Sequence, residues 1–153
     1  MVLTNLATLS LQMGKIKYAI EIIEKSLDID SNQPSAFNNH GVMLQKLNRN
    51  QEALISFNIA IDQKRDYAEA YANKANSLSV LKNFKEAQDC YDLAIKFKPD
   101  YLKAFLNKGR SLKENGQFEK ALLSFQNAYR LNPNIELLSG ELLETQMHLC
   151  IWD

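Results

Sequence analysis

Four asparagines stand in one register: Asn5, Asn39, Asn73 and Asn107 follow one another at intervals of 34 residues. An amide side chain both donates and accepts a hydrogen bond. A row of amides can therefore pair with the N–H and C=O groups of a bound peptide whatever its side chains. Asparagine is also a mediocre helix former, so helix propensity does not account for its recurrence. Two structural origins stay open beside a binding role: inheritance from a duplicated ancestral unit, and amides that bond the neighbouring repeat. Columns three and seven residues further on share the same helical face but vary in type. One is Thr8, Val42, Asn76 and Arg110, and the other is Gln12, Lys46, Val80 and Glu114. Such variation suits side-chain selectivity laid over a backbone-reading row. The expected peptide-binding set is the four asparagines with Asn76, Arg110 and Lys46.

Other chemistry is absent from the pattern. There is no G-x-S-x-G, P-loop or dinucleotide fingerprint, so the chain is not expected to be an enzyme by itself. His40 and His148 have no cysteine or carboxylate at ligand spacing, and no metal or cofactor is expected. Cys90 and Cys150 form neither a disulfide framework nor a metal pair, which fits a reducing cytoplasm. Eighteen basic residues balance eighteen acidic ones, leaving no net field for nucleic acid or anionic lipid. No run of about 18 apolar residues suggests a membrane span. The stretch from Met1 to Gly14 lacks the basic start of a signal peptide and reads instead as a first helix.

The elements that must position the asparagines repeat with them. Units 1–33, 34–67, 68–101 and 102–135 each read as two helices joined by a tight polar turn, with turns at Gly14-Lys15, Asn48-Arg49-Asn50, Lys82-Asn83 and Asn115-Gly116. Second breaks fall at Asp30-Ser31-Asn32, Lys64-Arg65-Asp66, Pro99-Asp100 and Pro133-Asn134, where proline cannot continue the preceding helix. Small residues recur at Ala7, Gly41, Ala75 and Gly109, at Ala19, Ala53, Ala87 and Ala121, and at Ser26, Ala60, Ala94 and Ala128. They let helices approach closely. Large residues recur at Leu3, Phe37, Tyr71 and Phe105, and at Ile23, Phe57, Tyr91 and Phe125, as knobs that fill the space between units. A fixed period of this length means a stacked all-α solenoid.

The pattern resembles the tetratricopeptide repeat. The third unit carries it whole in Tyr71, Ala75, Ala87, Tyr91, Ala94 and Pro99, and the fourth in Phe105, Gly109, Ala121, Phe125, Ala128 and Pro133. Arg65 and Ser31 replace the proline in the second and first units. The resemblance implies a right-handed superhelix of antiparallel helix pairs, with the first helix of each pair lining a concave side. It thereby places the four asparagines in a row along a groove, and it implies a protein or peptide partner. Some members of the family grip a C-terminal carboxylate with Lys and Arg around two asparagines. Asn76 and Asn107 resemble that pair, but Ala72, Leu137 and Glu141 stand where basic partners would be, so no such clamp is expected.

Residues 136–153 read as one more amphipathic helix, in which Leu138, Leu142 and Leu149 cap the fourth unit. The ending Met147-His148-Leu149-Cys150-Ile151-Trp152-Asp153 resembles the junction in bacterial proteins similar to O-linked N-acetylglucosamine transferases. There, repeats of this kind precede a glycosyltransferase domain. The resemblance implies, as an alternative, a substrate-recruiting region of a larger enzyme. A structural alternative is self-association, stacking the apolar ends Leu3/Leu6 and Ile151/Trp152 head to tail.

Overall fold

The computed structural model describes residues 2–149, and for 136 and 137 the backbone alone. The described residues form nine α-helices and no strand: α1 (Val2–Gln12), α2 (Ile16–Ile29), α3 (Pro34–Lys46), α4 (Asn50–Gln63), α5 (Ala68–Val80), α6 (Phe84–Phe97), α7 (Leu102–Glu114), α8 (Phe118–Leu131) and α9 (Glu136–His148). None of these helices is long and apolar enough to cross a membrane.

Each helix packs on its neighbours in sequence, and the first helices also touch across repeats, α1 on α3, α3 on α5 and α5 on α7. Among the described residues the second helices share no comparable contact. Curvature follows: the first helices lie on the inside of the bend, and the groove is theirs.

The small columns sit where the sequence places them. Ala7, Ala19, Ala53, Ala75, Ala87 and Ala121 are wholly buried. So are the knobs Ile23, Phe57 and Phe125, with Tyr91 at 1 % exposure. Ser26 is the one polar member of the third small column; its hydroxyl is matched to Thr4 Oγ1 at 3.2 Å, and its carbonyl accepts from Gln33 Nε2 at 3.0 Å. A further column, Ala36, Ala70 and Ala104, is also fully buried, where each first helix meets the preceding repeat.

The turn within each pair has one geometry. Gly14, Asn48, Lys82 and Gly116, again 34 residues apart, all take positive φ, between 59° and 76°. In each turn the N–H of the next residue bonds the carbonyl five back, as in Lys15 to Ser10 and Gln117 to Leu112, both at 2.9 Å. These paired bonds satisfy the last carbonyls of the first helix. A Cβ on Gly116 would meet nothing within 4 Å, so a substitution there probes backbone strain alone. Gly116→Ala is expected to cost about 1–2 kcal/mol, and Gly116→Asn less, in urea titration followed by circular dichroism.

At the C-terminal end α9 covers α8, with Leu138 at 1 % exposure. At the other end Leu3 packs on the core, so the apolar end of α1 differs from the expected Leu3/Leu6 pair. Its exposed stripe is Val2, Leu6 and Leu9, continued by Met13 in the turn that follows. Ile151 and Trp152, the expected partners of that end, lie outside the described residues.

Candidate functional site

The inner helices are joined across repeats by polar side chains. Asn39 Nδ2 donates to Thr8 Oγ1 at 3.3 Å, Asn73 Nδ2 to Asn38 Oδ1 at 3.0 Å, and Asn107 Nδ2 to Asn76 Oδ1 at 3.0 Å. Each amide thus reaches one repeat back toward the N-terminus. The orientation of Asn39 is dictated by its partner. Thr8 gives its only hydroxyl hydrogen to the Thr4 carbonyl at 2.9 Å, and toward Asn39 it can only accept. Asn5, in the first repeat, has no earlier inner helix among the described residues to bond and is exposed.

Bonding between repeats therefore accounts for one hydrogen of each amide in the second, third and fourth repeats. It does not exhaust them. A primary amide has two hydrogens and a carbonyl oxygen with two lone pairs. Among the described residues the Oδ1 atoms of Asn39, Asn73 and Asn107 accept no hydrogen bond. What remains on each is one donor and one acceptor, the complement of a peptide unit.

Other side chains brace the same floor. Gln45 Nε2 spends both hydrogens across the repeat boundary, on the Asn73 carbonyl at 2.7 Å and on Ser77 Oγ at 2.8 Å. Ser79 and Ser111 hydroxyls meet at 2.7 Å. Asn76 Oδ1 takes a second bond from the Tyr91 hydroxyl at 2.6 Å, which anchors it from the opposite helix. Burial of Tyr91 pushes its phenol pKa well above the usual value, so this hydroxyl stays a donor.

Two cavities lie along this floor and share Asn76. One, of about 480 Å³, is lined by Asn38, Asn39, Gln45, Lys46, Asn73 and Asn76, with Val42, Tyr67, Glu69, Tyr101 and Lys103 around it. The next, of about 280 Å³, is lined by Asn76, Asn107, Arg110 and Glu114 with Ser79, Val80, Tyr91 and Ser111. Six of the seven expected binding residues line one or both, and Asn5 lines neither.

Arg110, a member of the expected binding set, is engaged within the chain. Its Nε donates to Glu141 Oε1 of α9 at 2.8 Å, and Lys113 reaches Glu141 at 2.6 Å and Glu144 at 2.9 Å. Glu141 is burdened by partial burial, but bonds from Lys113 and Arg110 outweigh it and hold its carboxyl below the usual range. The C-terminal end of the groove is thus closed by the chain's own carboxylates. This pairing had no signal in either segment alone, because it joins residues 31 apart on different helices. Tyr67, Tyr101 and Lys103 lie outside the expected set; the two tyrosines carry the 34-residue spacing, one residue before α5 and α7.

His40, on α3, lies between α2 and α4, with Nδ1 at 3.0 Å from Ser56 Oγ; its buried Nε2 is 3.5 Å from Glu24 Oε1 and has no hydrogen-bond partner among the described residues. Burial lowers its pKa against the pull of Glu24, so the ring is neutral near pH 7. Burial raises the Cys90 thiol, which argues against a reactive thiolate. Among the described residues no cluster of three or more His, Cys, Asp or Glu could hold a metal ion.

Helix pairs in a 34-residue register, with the first helices on the inside of the bend, define a helical-repeat solenoid. Tetratricopeptide repeat models match residues 2–33, 68–101 and 102–135, well over half of the chain, and the chain belongs to this family. No curated protein matches the sequence. Solved structures agree on the fold. Pseudomonas aeruginosa pilF is 21% identical with a TM-score of 0.89, over 97% of this chain and 68% of that one. MamA from Desulfovibrio magneticus RS-1 is 19% identical with a TM-score of 0.86, over 98% and 85%. The first tetratricopeptide domain of Spaghetti (RPAP3), solved with the HSP90 peptide SRMEEVD, is 22% identical with a TM-score of 0.74, over 79% and 96%. Repeats of this family generally mediate protein–protein interactions. The resemblance of the C-terminal ending to a glycosyltransferase junction rests on sequence alone, and Cys150 to Asp153 lie outside the described residues.

Proposed function

We propose that this chain binds an extended peptide or protein segment along its concave groove, with the asparagine row reading the peptide backbone. The carrying observation is the state of the amides. One N–H of Asn39, Asn73 and Asn107 is tied to the preceding repeat, which pre-orients the remaining donor and acceptor at the groove lining. Pre-orientation lowers the entropy lost on binding. Asn76 adds a fourth amide, whose oxygen is engaged and whose N–H groups are free to donate among the described residues.

A peptide-library screen tests this, comparing wild type with a variant carrying Ala at Asn5, Asn39, Asn73 and Asn107. At roughly 1 kcal/mol for each lost neutral hydrogen bond, the variant should bind selected peptides about 100-fold more weakly or worse. Because three of these side chains also link repeats, the fourfold variant loses stability as well. The single changes Asn39→Ala and Asn107→Ala, checked for fold by circular dichroism, separate recognition from folding. Each should weaken binding several-fold. Equal affinity of folded single variants and wild type would reduce the asparagines to inter-repeat struts.

A further inference from the structure

The groove has unspent positive charge, although the whole chain is neutral. At its C-terminal end Arg110 and Lys113 are taken by Glu141 and Glu144. The groove acid Glu114 is paired with Lys82, and Glu69 with Lys98 at 3.8 Å. The charged residues around the larger cavity are Lys46, Glu69 and Lys103. Among the described residues no carboxylate lies within 4.0 Å of the Lys46 or Lys103 ammonium groups, and both side chains are exposed.

We infer that the groove is built for an acidic ligand: an extended peptide segment whose Asp or Glu side chains pair with Lys46 and Lys103 while the amides hold its backbone. This rests on the peptide-binding reading above and adds a partner class to it. Charge complementarity supplies the argument. The pairs formed by Arg110 and Lys113 already show basic groove positions seating carboxylates, donated there by the chain itself. Lys46 and Lys103 come from α3 and α7, on either side of the third repeat, so the acids they take belong to one segment crossing that repeat. Recognition of internal acidic side chains also separates this arrangement from a grip on a terminal carboxylate, whose basic positions are absent here.

Inner helices about 10 Å apart make the span of three repeats roughly nine or ten extended residues. The test uses two matched pools of random peptides of about that length. One has two fixed Glu residues at varied separation, and the other has Gln in their places. Wild type should favour the Glu pool by about tenfold at low salt, from two partly exposed ion pairs. The preference should fade at about 0.5 M salt. A Lys46→Gln/Lys103→Gln variant should bind both pools as wild type binds the Gln pool. Equal binding of the two pools by wild type overturns the acidic preference and leaves the peptide-binding reading standing. So would a double variant that still prefers Glu. Failure of wild type to bind either pool overturns the peptide-binding reading itself, and this inference with it.

Discussion

Phe57→Ala is expected to lower stability by about 3–5 kcal/mol, the cost of emptying a fully buried aromatic site. Phe57 is wholly enclosed and belongs to the cluster that joins the first two repeats, with Ala7, Ile23, Ala36 and Met43 among its members. A typical domain is stable by only about 5–15 kcal/mol, so this loss is a large share of the total. It should also change the form of unfolding. In a solenoid each repeat is stabilised by its immediate neighbours, and a cavity at one boundary weakens the coupling across it. Urea titration followed by helical circular dichroism should show a lower midpoint and a broader transition. A loss below about 1 kcal/mol would mean that the Phe57 site collapses freely and that the boundary is not held as described.

Gly41→Ala should destabilise by about 1–3 kcal/mol, against the roughly 1 kcal/mol that helix propensity alone would return. A Cβ on Gly41 would stand 2.5 Å, 2.7 Å and 2.8 Å from three ring carbons of Phe57. The ring is fully buried and has nowhere to swing. Gly109 faces Phe125 in the same way. The first repeat solves the same register differently, with Ala7 beside Ile23. Gly41→Ala combined with Phe57→Ile copies that pair into the second repeat. The double variant should therefore be more stable than the sum of the two single losses, by about 0.5–3 kcal/mol of coupling. Strict additivity would show that ring and glycine do not constrain one another.

These pairs mark how far the sequence could be read. The 34-residue period located helices, turns and small columns because each is a local property repeated in phase. Small residues at Gly41 and Gly109 were legible, whereas their particular seating of Phe57 and Phe125 edges required the packed helices. The positive-φ column was half hidden: glycine at 14 and 116 suggests it, but Asn48 and Lys82 adopt the same conformation without that signal. In the groove, Asn39, Lys46, Asn73, Asn76, Asn107 and Arg110 were visible as columns and do line cavities. Their partners were not visible, since each bond crosses a repeat. Arg110 stands in its column as a binding residue, and only the docking of α9 brings Glu141 against it. Lys103 gains meaning only in the packed groove, where among the described residues no carboxylate lies within 4.0 Å of it and Glu69 is paired with Lys98.

The central claim is that the asparagine amides serve a bound peptide as well as the repeats. Solution NMR of the side-chain amide resonances of Asn39, Asn73 and Asn107, during titration with a library-selected peptide, addresses it directly. Binding should shift all three in parallel with the backbone signals of α3, α5 and α7, and should slow exchange of their hydrogens with solvent. Saturation with those three resonances unmoved would contradict the account and place the peptide elsewhere on the solenoid.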